Sequence, residues 1–206
     1  SVENGGRKAV NRTLNPAISR DLTVCTLPAG SNLLANPGFE EGAGAGPARA
    51  ATGWTVGGTL DLKAADGTWF GGLSPHSGGW LLEGAVNAAS SDGYTFQRVT
   101  GIAAGKDYTF SAWVRTDLRE NDTWKYDVWD RRDRIIAVQL GLDPTGGTDP
   151  NAGSVQWTPR FYSHRRYSNV AKTVTAQGAA LTVFIRMKGA GGQWHLYGVD
   201  DCVLTQ

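Results

Sequence analysis

Apolar and polar positions alternate with a period of two through the middle and end of the chain, and no segment of useful length carries a helical period. The cleanest run is 107–116, where Tyr108, Phe110, Ala112 and Val114 fall on one side and Thr109, Ser111, Trp113 and Arg115 on the other. Residues 181–188 repeat the arrangement, with Leu181, Val183, Ile185 and Met187 alternating with Thr182, Phe184, Arg186 and Lys188. In each run the aliphatic set predicts a buried side and the mixed set an open one. A further apolar run, 135–142, lies between a charged and aromatic insertion at 117–134 and a turn-rich loop at 143–160. Long irregular connections in a compact domain are commonly functional or mobile, so both are expected to flank one site. From residue 31 onward such runs are separated by Gly, Pro, Asn and Asp clusters, which predicts an all-β sandwich or barrel over 31–206. Residues 1–30 are polar and irregular and are expected to form an N-terminal extension or linker.

Composition narrows the class. The 28 glycines and eight tryptophans suit a protein of many tight turns and aromatic strands. With 20 Lys+Arg against 19 Asp+Glu the net charge is +1, which excludes a nucleic-acid or anionic-membrane binder that works through a broad field. No run approaches the ~20 apolar residues of a membrane span, and the first residues lack the charged start and apolar run of a signal peptide. The chain therefore reads as soluble and mature. Cys25 and Cys202 lie near opposite ends of the sequence. A disulfide between them is expected; it closes a long loop worth up to roughly 5 kcal/mol in the chain-entropy picture, and it argues for an oxidising compartment. The alternative is two unrelated buried thiols.

Three stretches carry a family resemblance. Asn32-Leu33-Leu34-Ala35-Asn36-Pro37-Gly38-Phe39-Glu40 followed by Gly53-Trp54, then Gln97-Arg98-Val99 with Ala104-Gly105-Lys106-Asp107-Tyr108-Thr109-Phe110-Ser111-Ala112-Trp113-Val114, and finally Tyr197-Gly198-Val199-Asp200-Asp201-Cys202-Val203-Leu204 stand in this order. Together they resemble the jelly-roll carbohydrate-binding modules appended to xylanases and cellulases, a subset of the galactose-binding-domain-like β-sandwiches. The resemblance implies a secreted or cell-surface module that binds an oligo- or polysaccharide without catalysis. It also implies a structural calcium ion (Ca2+) tying the first strand to the last through Glu40 and Asp200 or Asp201, with carbonyls from the loop 71–79. Calcium takes six to eight oxygens, so a few carboxylates and carbonyls suffice. The alternative for these carboxylates is that they are solvated charges at strand ends.

Sugar recognition needs aromatic rings against the apolar faces of pyranoses and planar polar groups for the hydroxyls. Trp113, Arg115, Gln97, Gln139 and Arg186 are expected on strand faces opposite the core, with Trp113 as the central platform. Trp69, Trp124, Tyr126, Trp129 and Trp157 are expected in loops, and 121–132 is either a lid or an arm packed onto the sandwich. Buried indoles also make good core, which is the competing role for each of them. Arginines at 131, 132, 134, 160, 165 and 166 suit an acidic polymer, although the aspartates among them favour surface ion pairs. His76, His164 and His195 show no metal spacing. Two further readings stand beside glycan binding: a structural or adhesive module among other domains of a surface protein, and a jelly-roll lyase using residues around Tyr162-Ser163-His164-Arg165.

Overall fold

The computed structural model describes residues 30–70, 73–86, 90–120, 123–124, 137–163, 165–190 and 194–206. In chain order its strands are β1 (Gly42–Ala43), β2 (Ala48–Ala51), β3 (Thr55–Gly58), β4 (Leu62–Ala65), β5 (Leu81–Val86), β6 (Ser90–Thr100) and β7 (Asp107–Glu120). They continue with β8 (Thr123–Trp124), β9 (Ala137–Asp143), β10 (Gln156–Trp157), β11 (Ser168–Thr175), β12 (Ala180–Ala190) and β13 (Trp194–Thr205). Among the described residues there is no helix.

All pairings are antiparallel and they build two sheets. One has eight strands in the order β1-β2-β4-β5-β13-β7-β11, with β8 paired to β7; the other has five, in the order β10-β9-β12-β6-β3. The expected all-β sandwich is present, and the 107–116 run extends to Glu120 within β7. Its alternation is as read: Tyr108, Phe110, Ala112 and Val114 are buried between the sheets, where they meet Leu181, Val183, Ile185 and Met187 of β12. Tyr197, Val199 and Leu204 of β13 complete this layer from the middle of the larger sheet. Burial of such side chains, each worth about 1.5–3 kcal/mol, is what fixes the parity of the long strands. Trp157, expected in a loop, lies instead on the short strand β10.

The last strand is interrupted. Its register against β7 shifts between Asp200 and Val203, and Asp201 takes a left-handed φ of 47° at the shift. This bulge turns Cys202 into the core, where it is a free thiol with no exposure. Cys25, its expected disulfide partner, lies outside the described residues. The first described segment is tied to the last strand by hydrogen bonds. Leu33 N donates to Leu204 O (2.9 Å) and Cys202 N to Pro37 O (2.9 Å). The Asn32 side chain donates to Cys202 O (2.8 Å) and accepts from Leu204 N (3.0 Å).

At the far side of the larger sheet, β11 has a neighbour on one side only among the described residues. Lys172 on this strand is in register with the core residue Phe110, so its stem faces inward and is half-buried.

Candidate functional site

The five-stranded sheet has one face against the core and one face open. Register sets the open face out in rows that run across the strands. One row reads Thr55 (β3), Phe96 (β6), Phe184 (β12), Gly141 (β9) and Trp157 (β10). Beside it runs Gly57, Tyr94, Arg186 and Gln139, and on its other side Arg98, Thr182 and Asp143. Strands lie about 4.8 Å apart, so the row spans about 19 Å and its part from Phe96 to Trp157 about 14 Å.

The rings form a continuous layer. Tyr94 and Phe96 have centroids 6.5 Å apart, Phe96 and Phe184 5.7 Å, and Phe184 and Trp157 5.9 Å. Phe184 is wholly buried as the floor, while Tyr94, Phe96 and Trp157 are half-buried and reach solvent. Two glycines set how the end rings lie. A Cβ on Gly141 would stand 2.7 Å from the six-membered ring of Trp157, and one on Gly57 would stand 2.5 Å from the phenol of Tyr94. Both rings thus lean across the neighbouring strand instead of standing up from the sheet. Neither glycine has a left-handed φ, so it is the ring that demands the missing side chain.

Polar groups are fixed around this layer. Arg186 grips Asp92 through two bonds, Nε to Oδ1 at 2.8 Å and Nη2 to Oδ2 at 2.6 Å, and Nη2 also reaches Asn151 Oδ1 at 3.1 Å. Its guanidinium lies 5.6 Å from the Trp157 ring centre. Lys188 joins the same carboxylate at 3.1 Å. Burial alone would raise the Asp92 carboxyl, but the bonds and charges of Arg186 and Lys188 outweigh it and hold the group below the usual carboxylate range. Gln139 donates to Thr158 O at 2.9 Å. The connection 144–155 walls one flank: Asp143, fully buried, accepts from Thr145 N, Thr145 Oγ1 and Ser154 Oγ, and Arg98 Nε donates to Gly146 O.

The sequence placed Gln97 on an outer face, and the structure corrects it. Gln97 is 8% exposed and points inward, bonding Ala35 N, Ala35 O and Gly53 O; Thr95 beside it donates to Thr55 O. On β6 Thr95 and Gln97 face in and Tyr94 and Phe96 face out, because backbone groups at the rim of the sandwich satisfy the amide and hydroxyl. Tyr94 and Phe96 were missed for that reason. A usable signal was Phe184, which shares the mixed side of β12 with Arg186.

Trp113 and Arg115 lie on the outer face of the other sheet, where both are half-buried. His76 stacks on Trp113 with centroids 4.2 Å apart and planes 15° apart, and meets Tyr167 edge-on at 5.1 Å. Tyr167 donates to Ser74 O at 2.8 Å. Arg115 pairs with Asp117 through two bonds (3.1 and 2.9 Å). Leu73, Leu81 and Leu196 form a second small core on this face, with Phe70 packed against it. Glu83 also lies here, in the register row Lys63, Glu83, Gly198, Arg115. It is fully buried, and neither carboxylate oxygen meets a well-aligned hydrogen-bond partner among the described residues. Burial pushes the carboxyl up to about 7, partly offset by the nearby Phe70 amide and helped by the Asp66 charge. Trp113 is half-buried, as Trp157 is, but His76 of the 73–80 segment lies stacked on it where a ligand ring would.

Glu40, Asp200 and Asp201 do come together, around Gly38. Each is held by donors. Gly79 N and Trp80 N donate to Glu40; His76 N, Ser77 N and Asp201 N donate to Asp200. Asp201 takes His76 Nδ1 at 2.6 Å and Ser77 Oγ at 2.7 Å. Burial, with the Asp201 charge adding to it, pushes the Asp200 carboxyl up to about 6 against the pull of these amides. The segment expected to supply carbonyls to a cation supplies N–H groups to carboxylates, and all six carboxylate oxygens already accept. Among the described residues no group of three or more His, Cys, Asp or Glu is arranged to hold a metal. The arrangement is a hydrogen-bonded clasp in which residues 76–80 supply the partners of the three carboxylates.

Trp124 lies on β8, whose pairing with β7 sets it opposite Arg119. Tyr126, Trp129, the arginines at 131, 132 and 134, and His164 lie outside the described residues. Tyr162 is 42% exposed.

No family model and no curated protein matches the chain. Solved structures do. TmCBM61 in complex with β-1,4-galactotriose superposes with a TM-score of 0.56 at 17% identity, covering 85% of this chain and 99% of that one. The CBM22-1 xylan-binding domain of Xyn10C from Paenibacillus barcinonensis gives 0.51 at 15% identity, covering 85% and 94%. The enzymatically active domain of tailspike protein 4 of bacteriophage CBA120 gives 0.52 at 9% identity, covering 84% of this chain but 21% of that one. The chain has the β-sandwich fold of carbohydrate-binding modules, a fold that also occurs as part of a larger enzyme chain.

Proposed function

We propose that this chain is a non-catalytic glycan-binding module of a secreted or cell-surface protein, and that it holds a sugar chain across the open face of the five-stranded sheet. One observation carries the reading: Phe96, Phe184 and Trp157 stand in a single crosswise row, and the end ring is laid over Gly141. Aromatic rings turned toward solvent and seated on glycine offer an apolar surface to pyranose faces, while fixed groups on either side meet hydroxyls. Binding to TmCBM61 of a galactotriose and to the CBM22-1 domain of xylan supports the ligand class.

The same face argues for binding over catalysis. The carboxylates Asp92 and Asp143 of its strands are committed, Asp92 to Arg186 and Lys188 and Asp143 to its own loop. Neither is left free to exchange a proton with a substrate. Asp92, Arg186 and Lys188 pair with one another on the face, while Arg98 bonds the Gly146 carbonyl and keeps its charge for an acidic group on the ligand. An extracellular setting follows from polymeric glycan as ligand, and among the described residues no helix is long and apolar enough to cross a membrane.

The test is calorimetric titration with β-1,4-galactan and xylan oligosaccharides against the unaltered chain, Trp157→Ala and Trp113→Ala. Trp157→Ala should weaken binding at least about tenfold, or 1.4 kcal/mol, while Trp113→Ala leaves affinity unchanged. Full affinity in Trp157→Ala, or its loss only in Trp113→Ala, overturns the assignment of this face.

A further inference from the structure

The aromatic row ends at Trp157 on β10, and the residue before it, Gln156, faces away from the row. Gln156 lines a cavity of about 340 Å³ between the edges of the two sheets, shared with Asp107, Thr173, Val174, Thr175 and Gln177. The volume falls in the range of small-ligand sites, but the lining is hydrophilic: two carboxamides, two hydroxyls and a carboxylate around one valine. Thr175 Oγ1 donates to Asp107 Oδ1 at 2.6 Å and the Thr109 and Thr173 hydroxyls pair at 2.8 Å, which fixes the β11 wall. Gln177 N donates to Pro144 O, so the connection that walls the aromatic row also anchors one side of the cavity. Among the described residues, the side-chain amides of Gln156 and Gln177 bond to no protein group, and both residues are exposed.

We infer that this cavity is a second glycan subsite, which receives the sugars of a longer chain as it passes beyond Trp157 over the β10 edge. The inference rests on the glycan reading of the open face. Carboxamides and hydroxyls are the groups that complement a sugar's ring of donors and acceptors, since each amide offers both roles. The absence of an exposed ring inside the cavity makes it a polar extension of the site, one that adds affinity only when the chain is long enough to reach it. Contacts made by a tethered extension act at high effective concentration, so modest hydrogen bonds suffice to register in affinity.

Chain-length dependence tests this. A trisaccharide and a hexasaccharide of β-1,4-galactan, and the same pair from xylan, are titrated into the unaltered chain, the Gln156→Ala/Gln177→Ala double variant and Trp157→Ala. The expected result is a hexasaccharide affinity about tenfold lower in the double variant with the trisaccharide affinity unchanged, while Trp157→Ala weakens both. Equal affinity of the double variant and the unaltered chain for the hexasaccharide overturns the subsite, as does a parallel loss for the trisaccharide. If Trp157→Ala weakens neither, or the unaltered chain binds none of the four sugars, the open-face reading fails and the subsite with it. Both glutamines are exposed, so circular dichroism and melting temperature of the double variant should match the unaltered chain.

Discussion

The His76 imidazole lies over the Trp113 indole at 4.2 Å, in the position a sugar ring would take on an open platform. The same imidazole bonds Asp201, so one side chain both covers the indole and docks the 73–80 segment to the bulge of the closing strand. His76→Ala should shift tryptophan emission to the red, admit a soluble quencher to Trp113 and cost about 2–4 kcal/mol in chemical denaturation, the sum of an aromatic pair and a charge-assisted bond. Unchanged quenching would mean that the indole is covered by something other than this ring.

Gly141→Ala and Gly57→Ala test the seating of the end rings. The backbone at either position accepts alanine, so the strands should survive, but a Cβ would push Trp157 or Tyr94 off the sheet. Affinity for the oligosaccharide should fall about tenfold, with a change in near-ultraviolet circular dichroism for Gly141→Ala and little change in melting temperature. Retained affinity in both would show that ring orientation is not what the ligand reads.

Glu83 should make stability depend on pH. Its folded-state carboxyl titrates near 7, above the ordinary 4.5, so the folded chain binds the extra proton between these values. Stability from this group is complete below about 4.5 and is lost as pH rises through 7. Each tenfold gain in proton affinity on folding corresponds to about 1.4 kcal/mol, so Glu83→Gln should stabilise the protein by up to roughly 3 kcal/mol at pH 8 and by little at pH 4. Urea denaturation at the two pH values measures it, and an equal effect at both would contradict the buried acid.

Chelation tests the carboxylate clasp. With every oxygen of Glu40, Asp200 and Asp201 taken by an N–H or O–H donor, EDTA or excess calcium should leave the melting temperature within about a degree. A calcium-dependent rise that disappears in Glu40→Gln would show that residues 76–80 exchange places with an ion.

The long strands were legible because side-chain alternation on β7 and β12 carries its own answer: aliphatic residues on one side leave a single choice of burial. On β6 the alternation was equally clear and its parity was not. Gln97 and Thr95 face inward because Ala35, Gly53 and Thr55 carbonyls receive them, and those partners lie 40 to 62 residues away in sequence. Period two says which residues share a face; it does not say what covers that face, which is why Trp113 stood out and Phe96 did not. Gln139 and Arg186 were placed on the right side of their strands, since aliphatic neighbours at 138, 140, 185 and 187 fixed the parity there. The crosswise row itself depends on register between five strands, and register is set by packing across the whole sheet.

Lys172 gives the bordering strand a consequence of its own. Among the described residues no strand pairs with its outer flank, and the free amide and carbonyl groups of a flat apolar border invite copies to zip together. An added strand would cover the half-buried Lys172 side chain, and taking its ammonium out of water costs several kcal/mol when the strand brings no counter-charge. The border strand thus carries its own guard against pairing with a copy of itself.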